Sequence, residues 1–92
     1  DPRHYKVEFE NDHVRVLRVK IEGHGVAPMH EHSLNRVTIY LTDQDFKTKE
    51  SGGKSVTVKH KAGEVLWGTP VTHTEKNLSG QPFEAVVVEL KS

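Results

Sequence analysis

The sequence has no cysteine, which excludes disulfides, thiolate metal sites and thiol nucleophiles at once. It has no apolar run approaching the roughly 20 residues that a membrane-spanning helix needs. It has no charge excess either: thirteen Lys and Arg balance thirteen Asp and Glu, interspersed along the chain. No electrostatic footprint for nucleic acid or an anionic membrane follows from such a pattern. No window carries convincing helical periodicity, and there is no repeat, linker or low-complexity segment. Hydrophobic residues make up only 34% of the chain. A flat two-layer structure would struggle on that content, whereas a closed barrel or sandwich uses it efficiently. The 92 residues suit one domain spanning 1–92, burying roughly 60–70% of the unfolded surface. The opening "DPRHY", without an initiator Met, reads as a processed or trimmed start, which leaves cytoplasmic and periplasmic or secreted locations open.

What is present is a series of short β-rich runs: "HYKVEFE", "VRVLRVKIE", "RVTIYLT", "SVTVKHK", "EVLWG" and "FEAVVVELK". They are separated by turn-forming stretches such as "END", "GHG", "TDQD", "ESGGK", "KAGE" and "LSGQP". Val37, Ile39 and Leu41 alternate, as do Val56, Val58 and His60. "VRVLRVKI" changes phase between Val16 and Leu17, which predicts a bulge or burial on both faces. The expected architecture is all-β, a sandwich or barrel.

Seven histidines are the compositional oddity. His30 and His32, two apart after Pro28, project from one face of a strand and so can share a metal ion. As an isolated pair they equally suit two exposed polar residues on a loop. His73 lies 41 residues beyond His32, after Gly63, Trp67 and Pro70, where a barrel can bring it back to the first two. Glu75 and Asn77 share its strand parity. His60 reads as a satisfied core residue, His24 as a solvated turn residue between glycines, and His4 and His13 as surface residues.

The order of these pieces resembles the cupin superfamily, small β-barrels with two motifs on facing strands. The first family motif, G-x5-H-x-H-x(3–4)-E-x6-G, meets "GVAPMHEHSLNRV", with Gly25 one residue closer to His30 than the pattern asks. The second, G-x5-P-x-G-x2-H-x3-N, meets "GEVLWGTPVTHTEKN" through Gly63, Pro70, His73 and Asn77. There the proline is one residue late, the bend to His73 is two residues shorter and the inner glycine is missing. The flanking strands look like those of small single-domain bacterial cupins, so the resemblance covers nearly the whole chain.

The resemblance implies a jelly-roll-like barrel that holds a divalent metal (Zn, Fe, Ni, Mn or Cu) through His30, His32 and His73. It also implies a homodimer with paired or swapped outer strands. The family glutamate is absent: its place falls on Arg36 or Val37. Strand parity favours Val37, with Ile39 and Leu41, inside an apolar lumen and Arg36 at the rim or outside. A three-histidine site lacking the carboxylate keeps open positions and is one unit more positive, which suits a small chelating or anionic ligand. Glu75 is then the candidate general base or replacement ligand, against a plain reading as an exposed carboxylate. Three functions remain in view: a metal-dependent oxygenase, lyase or isomerase; a non-catalytic barrel binding metal or a small molecule; or a degenerate cupin whose site is no longer used.

Overall fold

The computed structural model describes residues 3–91, in which every regular element is a strand. The strands are β1 (Tyr5–Glu10), β2 (Val14–Ile21), β3 (Val26–His32), β4 (Arg36–Tyr40), β5 (Gln44–Glu50), β6 (Ser55–His60), β7 (Val65–Gly68), β8 (Val71–Asn77) and β9 (Phe83–Leu90). They form two antiparallel sheets, five strands in the order β1-β2-β9-β4-β7 and four in the order β3-β8-β5-β6. The β-rich runs read from the sequence coincide with β1, β2, β4, β6, β7 and β9. β5 was not among them, because "QDFKTKE" is mostly charged. It is nevertheless a strand, in which Gln44 and Phe46 are buried while Lys47 and Lys49 are exposed.

Strand β9 shows how alternation builds the core. Phe83, Ala85, Val87 and Glu89 are buried, and the residues between them are half-exposed. In register with β2, the inward set meets Ile21, Val19, Leu17 and Arg15. Phe46 closes the layer from the other sheet, its ring 4.6 Å from that of Phe83 at an edge-on angle, a favoured aromatic geometry. The phase change in "VRVLRVKI" corresponds to burial on both faces, since Val16 and Leu17 are each 8% exposed. The bulge itself lies on the partner strand β1, between Val7 and Phe9.

The orientation of β4 corrects the sequence reading. Arg36, Thr38 and Tyr40 stand opposite Glu89, Val87 and Ala85, so they turn inward with that set. Val37 and Ile39 face out, against Val88 and Val86 on one side and Trp67 and Val65 on the other. The lumen does need an apolar floor, but β2 and β9 supply it through Val19, Phe83, Ala85 and Val87. β4 is therefore free to put polar groups inside.

Two motif residues are structural. Asn77 is 1% exposed. Its amide donates to the carbonyls of Ile21, Glu22 and Gln81, and its oxygen accepts from the Ser79 N–H. It thus ties together the β2–β3 and β8–β9 connections at one end of the barrel. Gly63 adopts φ 93° in the turn before β7, a conformation that favours glycine.

Candidate metal centre

A bulge makes the first half of the site. β3 pairs with β8, and the register slips by one residue between Ala27 and His30. Plain alternation would set Ala27 and His30 on opposite faces. The extra residue at Pro28–Met29 resets the phase, so Ala27, His30 and His32 all turn inward while Pro28 and Met29 stay exposed. Proline suits that place because it has no N–H to offer the ladder. His30 then stands directly opposite His73.

The three histidines converge. One ligand nitrogen from each of His30, His32 and His73 lies within 4.8 Å of the others. The rings meet edge to face, with centroids 4.6 Å apart for His30 and His73, 4.9 Å for His30 and His32, and 5.3 Å for His32 and His73. His32 and His73 are 7% and 9% exposed.

Glu75, two residues past His73 on the same face, places Oε1 3.5 Å from His73 Nε2 and 3.6 Å from His30 Nε2. Its side chain is 15% exposed, so it is not a surface carboxylate. Tautomers follow from the hydrogen bonds. His30 Nδ1 lies 2.7 Å from the Pro28 carbonyl, which can only accept. Nδ1 therefore carries a proton, and in the neutral ring Nε2 keeps its lone pair for the cluster. The Tyr5 hydroxyl reaches that nitrogen at 2.9 Å.

Protonation follows the surroundings. Burial pushes His32 down to about 4, helped by the Arg36 cation and the other two imidazoles. Burial also lowers His73. For His30 the same burial is outweighed by Glu75 and the Pro28 carbonyl, and its pKa rises. Burial opposes the charge on Glu75, but His30 beside it and the other nearby imidazoles hold it below the usual carboxylate range. Tyr5 is raised by burial and by Glu75. Near neutral pH the site thus presents two imidazoles held neutral by burial and an ionised carboxylate.

This donor set fits a divalent transition ion. His73 Nε2 is buried and has no hydrogen-bond partner among the described residues, an expensive state for a polar atom that a Lewis acid would relieve. The three-histidine group could therefore hold a metal ion.

Other residues line the lumen that the sequence did not mark as site residues, and Arg36, expected at the rim or outside, joins them. Tyr40, Gln44 and Arg36 line the same cavity, which holds about 430 Å³ of empty space including its open mouth. Glu89, 2% exposed, binds Arg15 at 2.6 Å and faces His32 Nδ1 at 3.9 Å. A signal for Glu89 did exist: it keeps the inward parity of Phe83, Ala85 and Val87.

The remaining histidines separate. His60 is half-buried, with Nδ1 2.6 Å from Gln44 Oε1 and its ring stacked on Tyr40. His24 is exposed in a turn at φ 60°, and His13 is exposed. His4 departs from its expected surface position. It is 5% exposed and lies 3.6 Å from Glu22, because the segment entering β1 runs beside β2, where the Lys20 N–H donates to the His4 carbonyl.

No family model and no curated protein matches the sequence. Solved structures do match the fold. A cupin domain from Bordetella pertussis is 26% identical, with a TM-score of 0.88 over 96% of this chain and 92% of that one. An RmlC-like cupin with a double-stranded β-helix fold from Methanocaldococcus jannaschii is 14% identical, with a TM-score of 0.74 over 94% of this chain and 77% of that one. The chain is a cupin by fold. The cupin domain of Cnp3 from Schizosaccharomyces pombe, 11% identical, also superposes at a TM-score of 0.70 over 96% of this chain and 64% of that one. Likeness at such identities carries the cupin architecture and no particular activity.

Proposed function

We propose that this cupin binds one divalent transition-metal ion through His30, His32 and His73 and presents it to a small chelating or anionic ligand. The observation that carries the reading is the buried, unsatisfied Nε2 of His73, facing two other imidazoles and a carboxylate. Three protein ligands leave positions open for water or ligand, as catalytic rather than sealed sites do. When bound, the ion would polarise a carbonyl or acidify a ligand proton. Glu75 is placed to hold or carry that proton at Oε1, or to serve as a fourth ligand from β8 in place of the carboxylate missing from β4. Chemistry of an oxygenase, lyase or isomerase kind is compatible with this arrangement. A panel of β-diketones, enols and thiol acids, followed by dioxygen consumption or spectral change, separates turnover from simple binding.

The test is metal analysis of untagged protein beside the His30→Ala/His73→Ala double variant. Stoichiometric metal in the wild type and almost none in the variant is expected. Metal that is substoichiometric and unchanged in the variant would sink the three-histidine site.

The partner we propose is a second copy of the chain. Strand register aligns Phe9, Val16, Val88, Val37 and Trp67 in one row across the outer face of the five-stranded sheet. Val86, Ile39 and Val65 form a second row. Trp67, Phe9 and Val65 are 58%, 56% and 59% exposed. Arg18 on this face pairs with Glu8 and with Glu84 of its own chain. Two such apolar rows can meet about a twofold axis.

A further inference from the structure

We propose that Arg36 reads the charge of the ligand, so that the lumen selects a small carboxylate monoanion such as a 2-hydroxy or 2-oxo acid. This rests on the metal-site reading and narrows its ligand class. β4 turns Arg36 into the cavity that His32, His73, Glu75 and Tyr5 also line. A guanidinium in such a place ordinarily has a carboxylate partner. Glu89 stands directly across from Arg36 in the β4–β9 register, yet Glu89 is taken by Arg15 at 2.6 Å. Glu75 is turned to His30 and His73. No described carboxylate pairs with Arg36.

Its orientation is nevertheless fixed. Nη1 donates to the Thr69 carbonyl at 2.7 Å, which anchors the group without neutralising it. Gly68, opposite Arg36 on β7, makes room for the fold-over. A Cβ there would come within 2.8 Å of the guanidinium carbon. The edge formed by Nε and Nη2 is left for a ligand, and its planar fork matches a carboxylate. An anion seated there satisfies a partly buried cation that no described carboxylate compensates, whereas a neutral chelator leaves it unpaired.

Glycolate and its neutral amide, glycolamide, are titrated calorimetrically into zinc-loaded and metal-free protein, with zinc content measured on the same samples. Wild type is expected to favour glycolate by roughly tenfold or more, the weight of a charge-assisted hydrogen bond. Arg36→Gln should erase that preference while zinc content stays unchanged, and Gly68→Ala, which keeps the charge but displaces it, should weaken it severalfold. A glycolate preference that survives Arg36→Gln at unchanged zinc content overturns the proposal. So does inorganic phosphate binding as tightly as glycolate and failing in the same variant, since that describes a general anion site. Zinc absent from the wild type defeats the metal-site reading instead. The metal-free arm then still decides about Arg36, for no preference there overturns its role.

Discussion

The Tyr5 hydroxyl donates to Nε2 of His30 across 2.9 Å, occupying the lone pair that a metal ion would take. β1 thereby reaches from the edge of the five-stranded sheet into the site formed by β3 and β8. Tyr5 stabilises the metal-free cluster and competes with the ion for His30. The expected outcome for Tyr5→Phe is a metal-free protein about 1 kcal/mol less stable, with zinc bound severalfold more tightly. Urea melts of the stripped protein and competition against a chromogenic chelator check both halves. Weaker zinc binding in the variant would show that the phenol supports the ion instead.

Glu75 supplies the negative charge that β4 lacks. Glu75→Gln keeps the shape and a hydrogen-bonding oxygen but removes the charge beside two ligand nitrogens. Zinc affinity should fall by about 10- to 100-fold, the range seen when groups supporting metal ligands are altered. The melting midpoint of the metal-free form should fall modestly, because the imidazole contacts that hold the carboxyl below its usual range outweigh the desolvation cost lost with them. An unchanged zinc affinity would make Glu75 a bystander.

Strand parity carried a sequence reading a long way here, and it failed at one point for a physical reason. His73, Glu75 and Asn77 occupy one face of β8 because a regular strand alternates. β3 does not alternate regularly, and the bulge at Pro28–Met29 is what turns His30 and His32 inward together with Ala27. β4 misled because Val37 and Ile39 are apolar for the outer face, not for the lumen. Alternation shows that a strand has two unlike faces; only pairing with β9 decides which one is inside. Tyr5 was illegible as a site residue because its place depends on β1 reaching across to His30 of the other sheet. Glu89, although its parity pointed inward, gains its place only from β9 lying beside β2, a contact between opposite ends of the chain.

The histidine cluster should make the metal-free protein sensitive to acid. His32, held at about 4 against an ordinary 6.5, resists protonation in the folded state, while the unfolded chain takes up its proton below pH 6.5. Its contribution to stability is therefore complete above pH 6.5 and declines until pH 4. The loss is of the order of 3 kcal/mol for this residue alone. Glu75, held below the usual range, adds a loss of the same sign at the acid end, whereas His30, whose pKa is raised, opposes both. The net expectation is a urea midpoint that falls from pH 7 to pH 4, with a shallower fall in His32→Asn. A midpoint that is flat or rises toward pH 4 would contradict the burial of a neutral His32.

The outer face makes the last prediction. Trp67 is more than half exposed at one end of a five-residue apolar row, and a substitution there reaches neither the lumen nor the core. Trp67→Glu places a charge opposite Val37, and in a twofold pairing each copy brings that charge to the same interface. Burying two unpaired carboxylates costs several kcal/mol, so the expected result is a dimer for the wild type and a monomer for the variant. Light scattering at matched concentration reads the mass. Zinc content per chain should be unchanged, because the three histidines and Glu75 belong to the opposite sheet. A wild type that is already monomeric at high micromolar concentration removes the proposed pairing. A variant that stays dimeric relocates the interface to another face, since two closely packed outer sheets could not admit the charge.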